Sequence, residues 1–216
     1  MADKKLSHEE RRRMLIDATS AMLKEKGIRH ITMRALSGRV GISRGAPYRH
    51  FDDKRALLAA VAEDGFDRLR GRLEDLADSG QGVPSERLQA AGAAYVEFAL
   101  DNPALYRLMF NVEIARAPSA PGLVDSAISV FSAFRSLVRQ HLEDEKITPE
   151  TIADRANVAW ATFHGLSMLL IHQLALTAGR ERYIDSQRVV GSISSPDTVN
   201  RLVDTALDSL ACGLRT

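Results

Sequence analysis

The chain has 216 residues, 45% of them hydrophobic and 26% charged, which fits a globular protein of one or two domains and excludes whole-chain disorder. No apolar run reaches the roughly 18–20 residues of a membrane-spanning helix; the longest, Gly165 to Ile171, stops at His172. The net charge of +1 conceals an asymmetry, because residues 1–60 hold 14 Lys/Arg against 7 Asp/Glu while the remainder holds 15 against 21.

The pattern along the chain is helical throughout. Ser7 to Lys26 reads as a first helix, with Ser7 as N-cap, Glu9 and Glu10 in the first turn and Gly27 as the stop. Leu15, Ala18, Ala21 and Met22 give it an apolar face. Thr32 can cap a short helix over Met33 to Val40, and Gly41 breaks it. Ser43 can cap a third, very short helix running through His50. A long helix starts at Asp52-Asp53, and its stripe of Leu57, Leu58, Val61, Ala62, Phe66, Leu69 and Leu73 holds register to about Leu76. The Gly- and Pro-containing run Ser79 to Pro84 is the clearest linker. Helices are expected beyond it at about 85–101, 103–113, 122–143, 149–178 and 196–213, and Arg180 to Ser194 reads as a loop. The expected fold is all-α: a helix-turn-helix head over residues 1–60, with a linking helix to about 76, and a larger helical bundle over 61–216.

The head carries the most specific chemistry. Two short helices separated by Gly41-Ile42-Ser43 have helix-turn-helix proportions. Leu36, Val40 and Ile42 can be buried, Ser37 is small where helices cross, and Gly41 sits where the turn needs positive φ. The third helix then presents Ser43, Arg44, Gly45, Ala46, Tyr48, Arg49 and His50 to a DNA major groove. Arg44 has the fork geometry that reads guanine, and Tyr48 and His50 are donors suited to phosphate oxygens. Gly45 and Ala46 permit close approach to the backbone or to a thymine methyl. Lys54 and, one helix earlier, Thr32 and Arg34 stand at helix N-termini, where backbone amides attract anions. Short helix pairs around a glycine are common, so the basic balance and the polar third helix carry the argument together with the turn.

These residues also carry a resemblance. The run Thr32-Met33-Arg34-Ala35-Leu36, then Val40 through Leu58 with its Tyr-x-His-Phe-x-x-Lys-x-x-Leu-Leu string, resembles the DNA-binding head of the tetracycline-repressor (TetR) family over about residues 10–60. The resemblance implies an all-helical, homodimeric bacterial regulator that binds a double-stranded DNA operator and answers to a small-molecule effector, with repression the commoner mode. It also implies that Thr32, Arg34, Arg44, Tyr48, His50 and Lys54 touch DNA. Pro47 departs from the pattern, where many members have Leu or Ile. In a helix's first turn proline costs little, so it is expected to stiffen the third helix and not to break it.

The body is read for an effector and a partner. Tyr95, Phe98, Tyr106, Met109, Phe110, Phe131, Phe134, Trp160, Phe163 and His164 gather aromatics, a thioether and an imidazole in a combination that suits a cavity with few polar contacts. Any one of them also suits plain core. Trp160, His164 and Gly165 form a Trp-x-x-x-His-Gly string that resembles the signature of one C-terminal class of the same family; His164 fits either a core hydrogen bond or the cavity wall. Gly165, Met168 and Leu169 on one helix, with Val199, Leu202, Val203, Ala206 and Leu210 on the last, give seams for a four-helix dimer interface. The pattern alone fits intrachain packing equally, and the resemblance favours the dimer.

An enzyme reading finds little support. The six histidines form no His-Glu-x-x-His string, and there is no Gly-x-Ser-x-Gly or phosphate-binding loop, so no catalytic residue, metal or cofactor is expected. The one cysteine, Cys212, can form neither an internal disulfide nor a cysteine-based metal site. With a charged start and no apolar signal segment, the expected location is the cytoplasm. The competing class is a helical small-molecule-binding protein or enzyme whose basic head is incidental.

Overall fold

Apolar spacing and the capping residues between apolar stretches account for the elements of the computed structural model, which describes residues 7–80, 82–116, 121–142, 148–177, 201–206 and 208. In chain order they are α1 (His8–Lys26), α2 (Met33–Val40), α3 (Lys54–Asp78), α4 (Pro84–Asp101), α5 (Pro103–Met109), α6 (Val112–Ala115), α7 (Pro121–Leu142) and α8 (Pro149–Thr177), with 3-10 turns at Ile28–His30 and Pro47–Arg49. Residues 201–206 are helical as well. Among the described residues there is no strand, and no helix is long and apolar enough to cross a membrane. The expected loop Arg180 to Ser194, and Val199, Leu210 and Cys212, lie outside the described residues.

Local chemistry sets the helix ends. Ser7 and Glu10 form a reciprocal capping box: the Glu10 amide donates to the Ser7 hydroxyl at 3.1 Å and the Ser7 amide to the Glu10 carboxylate at 2.6 Å. That bond to Ser7 holds the Glu10 carboxyl below its usual range. Gly27, at φ 76, ends α1 and returns its amide to Leu23. The expected helix over 103–113 is two helices. Asn111 interrupts it because its side chain accepts from the Glu113 and Ile114 amides at 3.0 and 3.2 Å, capping a new helix where the old one would have continued.

The chain packs as two compact units, Met1–Arg68 with Asn102–Ile128, and Leu69–Asp101 with Ser129–Thr216. Helices α3 and α7 each supply residues to both. In the first unit, α1 buries Leu15, Ile16, Met22 and Leu23 and packs on α2 and α5. Ala18 and Ala21, expected on that face, are half-buried, and Thr19 takes the interior place by returning its hydroxyl to the Leu15 carbonyl at 2.7 Å. Gly65 of α3 admits Met109 of α5: a Cβ there would lie 2.8 Å from the thioether sulfur.

In the second unit, α4 packs against α8. Gly92 permits the approach, since a Cβ would stand 2.8 Å from Cζ of Phe163 and 2.9 Å from Cγ1 of Val203. Val203 has no solvent exposure. Its expected place on a dimer seam is therefore corrected: its surface is consumed inside its own subunit. Gly92→Val should cost roughly 1–3 kcal/mol through overpacking. Urea unfolding should show a lower midpoint at unchanged slope, and a midpoint equal to the parent's would contradict the close packing.

Candidate nucleic-acid interface

The interface is built from the end of α2 onward. Thr32 caps α2 by accepting the Ala35 amide at 3.0 Å. Leu36 and Ser37 are buried, and Gly41 leaves the helix in the left-handed region at φ 70. The amides of Gly41 and Ile42 both return to the Ser37 carbonyl. Val40 and Ile42, expected in the core, are half-buried.

Residues 43–50 do not form the short α-helix expected of them. The Ala46 amide donates to Ser43 at 3.0 Å, the Arg49 amide to Ala46 at 3.2 Å, and the His50 amide to Pro47 at 3.0 Å, so the segment is a run of i to i+3 turns. Pro47 explains the difference. An α-helix capped by Ser43 would place the residue-47 amide on the Ser43 carbonyl, and proline has no N–H to give. The Ala46 amide takes that oxygen instead. Proline thus changes the form of the segment.

Ser43, Arg44, Gly45, Tyr48 and Arg49 are exposed on this segment, Ala46 and His50 are half-buried, and Pro47 is buried. Tyr48 keeps 56% of its surface in solvent, a large exposure for an aromatic side chain. Thr32 and Arg34 are exposed at the start of α2. Asp53 caps α3 by accepting the Ala56 amide at 2.8 Å. Lys54 spends one donor on the Ile28 carbonyl at 3.2 Å, fastening α3 to the 3-10 turn after α1 and leaving two donors of its ammonium.

Not all of the head's charge is available to a partner. Arg39 is held by Glu25 through two hydrogen bonds of 2.7 and 2.6 Å, and Arg13 bridges Asp17 and Asp64. Arg34, Arg44 and Arg49 make no ion pair among the described residues. The cations that the helix-turn-helix presents are thus among those left without an ion pair.

Three residues at the start of α1 support the segment and were not picked out from the sequence. The His8 ring lies 4.2 Å from that of His50, and the Arg12 guanidinium lies 5.4 Å above the ring of buried Phe51. Burial lowers the pKa of His50, and the neighbouring His8, Arg11 and Arg12 lower it further against the opposite pull of Glu9. Its imidazole is thus held toward the neutral form, in which one ring nitrogen carries a proton to donate. No local signal joins residue 8 to residue 50, because the pairing is made by the fold.

The expected effector residues are drawn from both compact units. In the second unit Trp160 takes the ring edges of Tyr95, Phe131 and Phe134 at centroid distances of 5.0, 5.7 and 5.9 Å, and Phe134 meets Phe163 at 5.9 Å. Phe98 is fully buried there beneath the Arg72 guanidinium. His164 is half-buried, which lowers its pKa. Tyr106, Met109 and Phe110 belong to the first unit, where Phe110 packs on Phe66 at 5.3 Å and on Tyr106 at 4.9 Å.

Pro47→Ala restores the missing donor. It should allow a residue-47 amide bond to Ser43, detectable as a slowly exchanging amide by NMR. It should also lower stability by roughly 0.4–1 kcal/mol through the freer unfolded chain. A rapidly exchanging residue-47 amide would mean that proline is not what sets the turn.

Comparison with known proteins agrees with this geometry. The description "Bacterial regulatory proteins, tetR family" matches residues 15–61, and "Tetracyclin repressor-like, C-terminal domain" matches residues 88–188. The chain is 31% identical over 152 residues to the transcriptional regulator BetI of Escherichia coli O139:H28, covering 62% of this chain and 73% of that protein. It is 31% identical over 116 residues to the transcriptional repressor KstR of Mycolicibacterium smegmatis, covering 54% of this chain and 56% of that protein. It thus spans about half the length of the KstR relatives it matches. A solved structure of a protein of unknown function from Rhodococcus sp. RHA1 superposes with a TM-score of 0.74 at 29% identity, covering 99% of this chain and all of that one. A tetR-family regulatory protein from Rhodococcus RHA1 superposes at 0.64 and 21% identity over 95% of this chain and 98% of that one, a likeness of fold alone. The helix-turn-helix, the all-helical fold and these matches together establish that the chain belongs to the TetR family of bacterial transcriptional regulators.

Proposed function

We propose that this protein is a cytoplasmic, homodimeric regulator that binds a near-palindromic DNA operator in sequence-specific fashion and is released from it by a small molecule. The observation that carries the reading is the exposed segment Ser43–Arg49, with Arg34 beside it, whose cations have no ion-pair partner among the described residues. Thr32, Tyr48, His50 and Lys54 supply phosphate contacts in this reading, Arg44 reads a base edge, and Gly45 and Ala46 allow the backbone close. The family is one of regulators and not of enzymes, which supports a non-catalytic protein.

The outer face of α8 supports the dimer. Val158, Ala161, Gly165, Met168 and Leu169 recur at helical spacing; Gly165 is partly exposed and the other four are exposed, Leu169 at 72%. A Cβ on Gly165 would meet nothing within 4 Å. The opposite face buries Ala156, Ala159, Phe163, Ser167 and Leu170. Leu202 and Ala206 are half-buried and remain in the proposed seam. An exposed apolar stripe opposite a filled one fits a helix shared between a core and a subunit interface.

The aromatic group around Trp160 is the proposed effector site. Trp160, His164 and Ser167 follow one another at spacings of four and three on α8, and the Ser167 hydroxyl is buried without a hydrogen-bond partner among the described residues. An effector there acts by favouring one spacing of the two heads over another, and only to the extent that it binds the two states differently. Helix α3, which supplies residues to both compact units, is the proposed route.

Fluorescence anisotropy on DNA from directly upstream of the gene, with random DNA as control, tests the reading. Preferential binding that weakens steeply with salt is expected. Arg44→Ala should lose roughly 1–3 kcal/mol of discrimination at one base pair, whereas Tyr48→Phe should weaken binding to all sequences alike. Unchanged affinity in both variants would reject the placement of the segment on DNA. Leu169→Asp should turn the dimer into a monomer in sedimentation and abolish tight operator binding; a dimer that persists would move the interface off α8.

A further inference from the structure

The head contains a cavity that DNA recognition does not explain. It is a pocket partly open to solvent, of about 330 Å3, between α1, the end of α2 and the turn segment, near the lower end of the roughly 300–1,000 Å3 of small-ligand pockets. Its floor is Met14, Leu15, Val40 and Ile42, and its polar wall is Arg11, Arg49 and His50. Three facts separate it from an accidental packing gap. Val40 and Ile42 line it half-buried, at positions whose sequence pattern expects core. Arg11 and Arg49 have no ion-pair partner among the described residues. The Nδ1 atom of His50 is buried with no hydrogen-bond partner among the described residues.

The lining chemistry selects an occupant. Two guanidiniums and an imidazole offer donors and positive charge, and no carboxylate is among the lining residues. Guanidinium favours a carboxylate, which it can bind with two parallel hydrogen bonds, and it stacks on aromatic faces. The apolar floor gives water too few polar partners and gives a hydrocarbon body a surface to cover. We propose that this cavity binds a small aromatic monocarboxylate, ring against Met14, Val40 and Ile42 and carboxylate on Arg11, Arg49 and His50, and that the bound molecule competes directly with DNA.

Competition follows from shared groups. Arg49 and His50 belong to the segment assigned to DNA, so an anion that occupies them removes two contacts without any movement of the body. The proposal rests on that assignment of Ser43–His50. It differs from effector action through Trp160 and His164 in requiring no change in head spacing.

The test uses the full chain with benzoate, benzyl alcohol and inorganic phosphate at constant ionic strength. Binding is followed by calorimetry and DNA release by anisotropy. Benzoate should bind about tenfold or more tightly than either control, because benzyl alcohol lacks the charge and phosphate lacks the ring. It should displace DNA over the same concentration range. Met14→Trp fills the cavity from a half-exposed position, and should weaken benzoate about tenfold or more while leaving DNA binding intact. Val40→Phe serves the same purpose if Met14→Trp loses the helical circular dichroism of the parent. His164→Ala should leave benzoate binding unchanged.

Benzoate binding that survives the filling variant and disappears in His164→Ala would place the site in the body and overturn the proposal. Equal affinity for phosphate would reduce it to attraction by a basic head. No heat with benzoate on folded protein would reject the site. Benzoate binding that is sensitive to Met14→Trp in a protein with no DNA affinity would leave the cavity assigned and reject the regulator reading instead.

Discussion

The carbonyl of Ser37 receives two amides, those of Gly41 and Ile42, and this shared acceptor determines how the chain leaves α2. The arrangement requires φ near 70 at residue 41, which glycine adopts without steric cost. A β-carbon there would favour continuing the helix or straining the turn. The Ser43–His50 part of the proposed interface begins two residues later. With Leu36 and Ser37 buried beneath the turn, Arg44, Tyr48 and Arg49 are left on its outer surface. Pro47 then imposes the second constraint by withholding an amide, so the segment advances by i to i+3 turns and presents its side chains at a spacing different from that of an α-helix.

Charge is distributed by pairing as much as by composition. The head has a large excess of Lys and Arg, yet Arg39 and Arg13 are engaged by carboxylates on neighbouring helices. Such exposed pairs contribute only about 0–1 kcal/mol each to stability. Their larger effect is to neutralise cations that lie away from the reading segment. Arg34, Arg44 and Arg49 are among the cations that keep no ion pair. Burial and the neighbouring basic side chains lower the pKa of His50 and so favour its neutral form.

Helix α8 shows a division of labour along a single element. One face carries Phe163 and Leu170 into its own unit, and the other leaves Met168 and Leu169 in solvent. The Trp-x-x-x-His-Gly string divides in the same way. Trp160 anchors three aromatic edges, His164 is half-buried, and Gly165 opens on the outer face.

What the sequence by itself determined was local and periodic. The Ser7–Glu10 box, the Gly27 and Gly41 stops, the Thr32 cap and the apolar stripe of α3 each depend on residues within one or two turns of each other, so spacing alone reveals them. The turn motif, its basic balance and its exposed residues were legible for that reason, and so was the family. Only the tertiary structure decided what depends on distant partners. It set Val203 against Gly92 inside one unit, gathered Tyr95, Phe131 and Phe134 around Trp160, brought the His8 ring against His50 and left a pocket beside the turn. Asn111 and Pro47 lie between these cases: both act locally, but through a side-chain acceptor and a missing donor that apolar periodicity does not register. Burial of a long-range pair requires surfaces that become neighbours only when the whole chain has packed, and no spacing along the sequence encodes which surfaces those are.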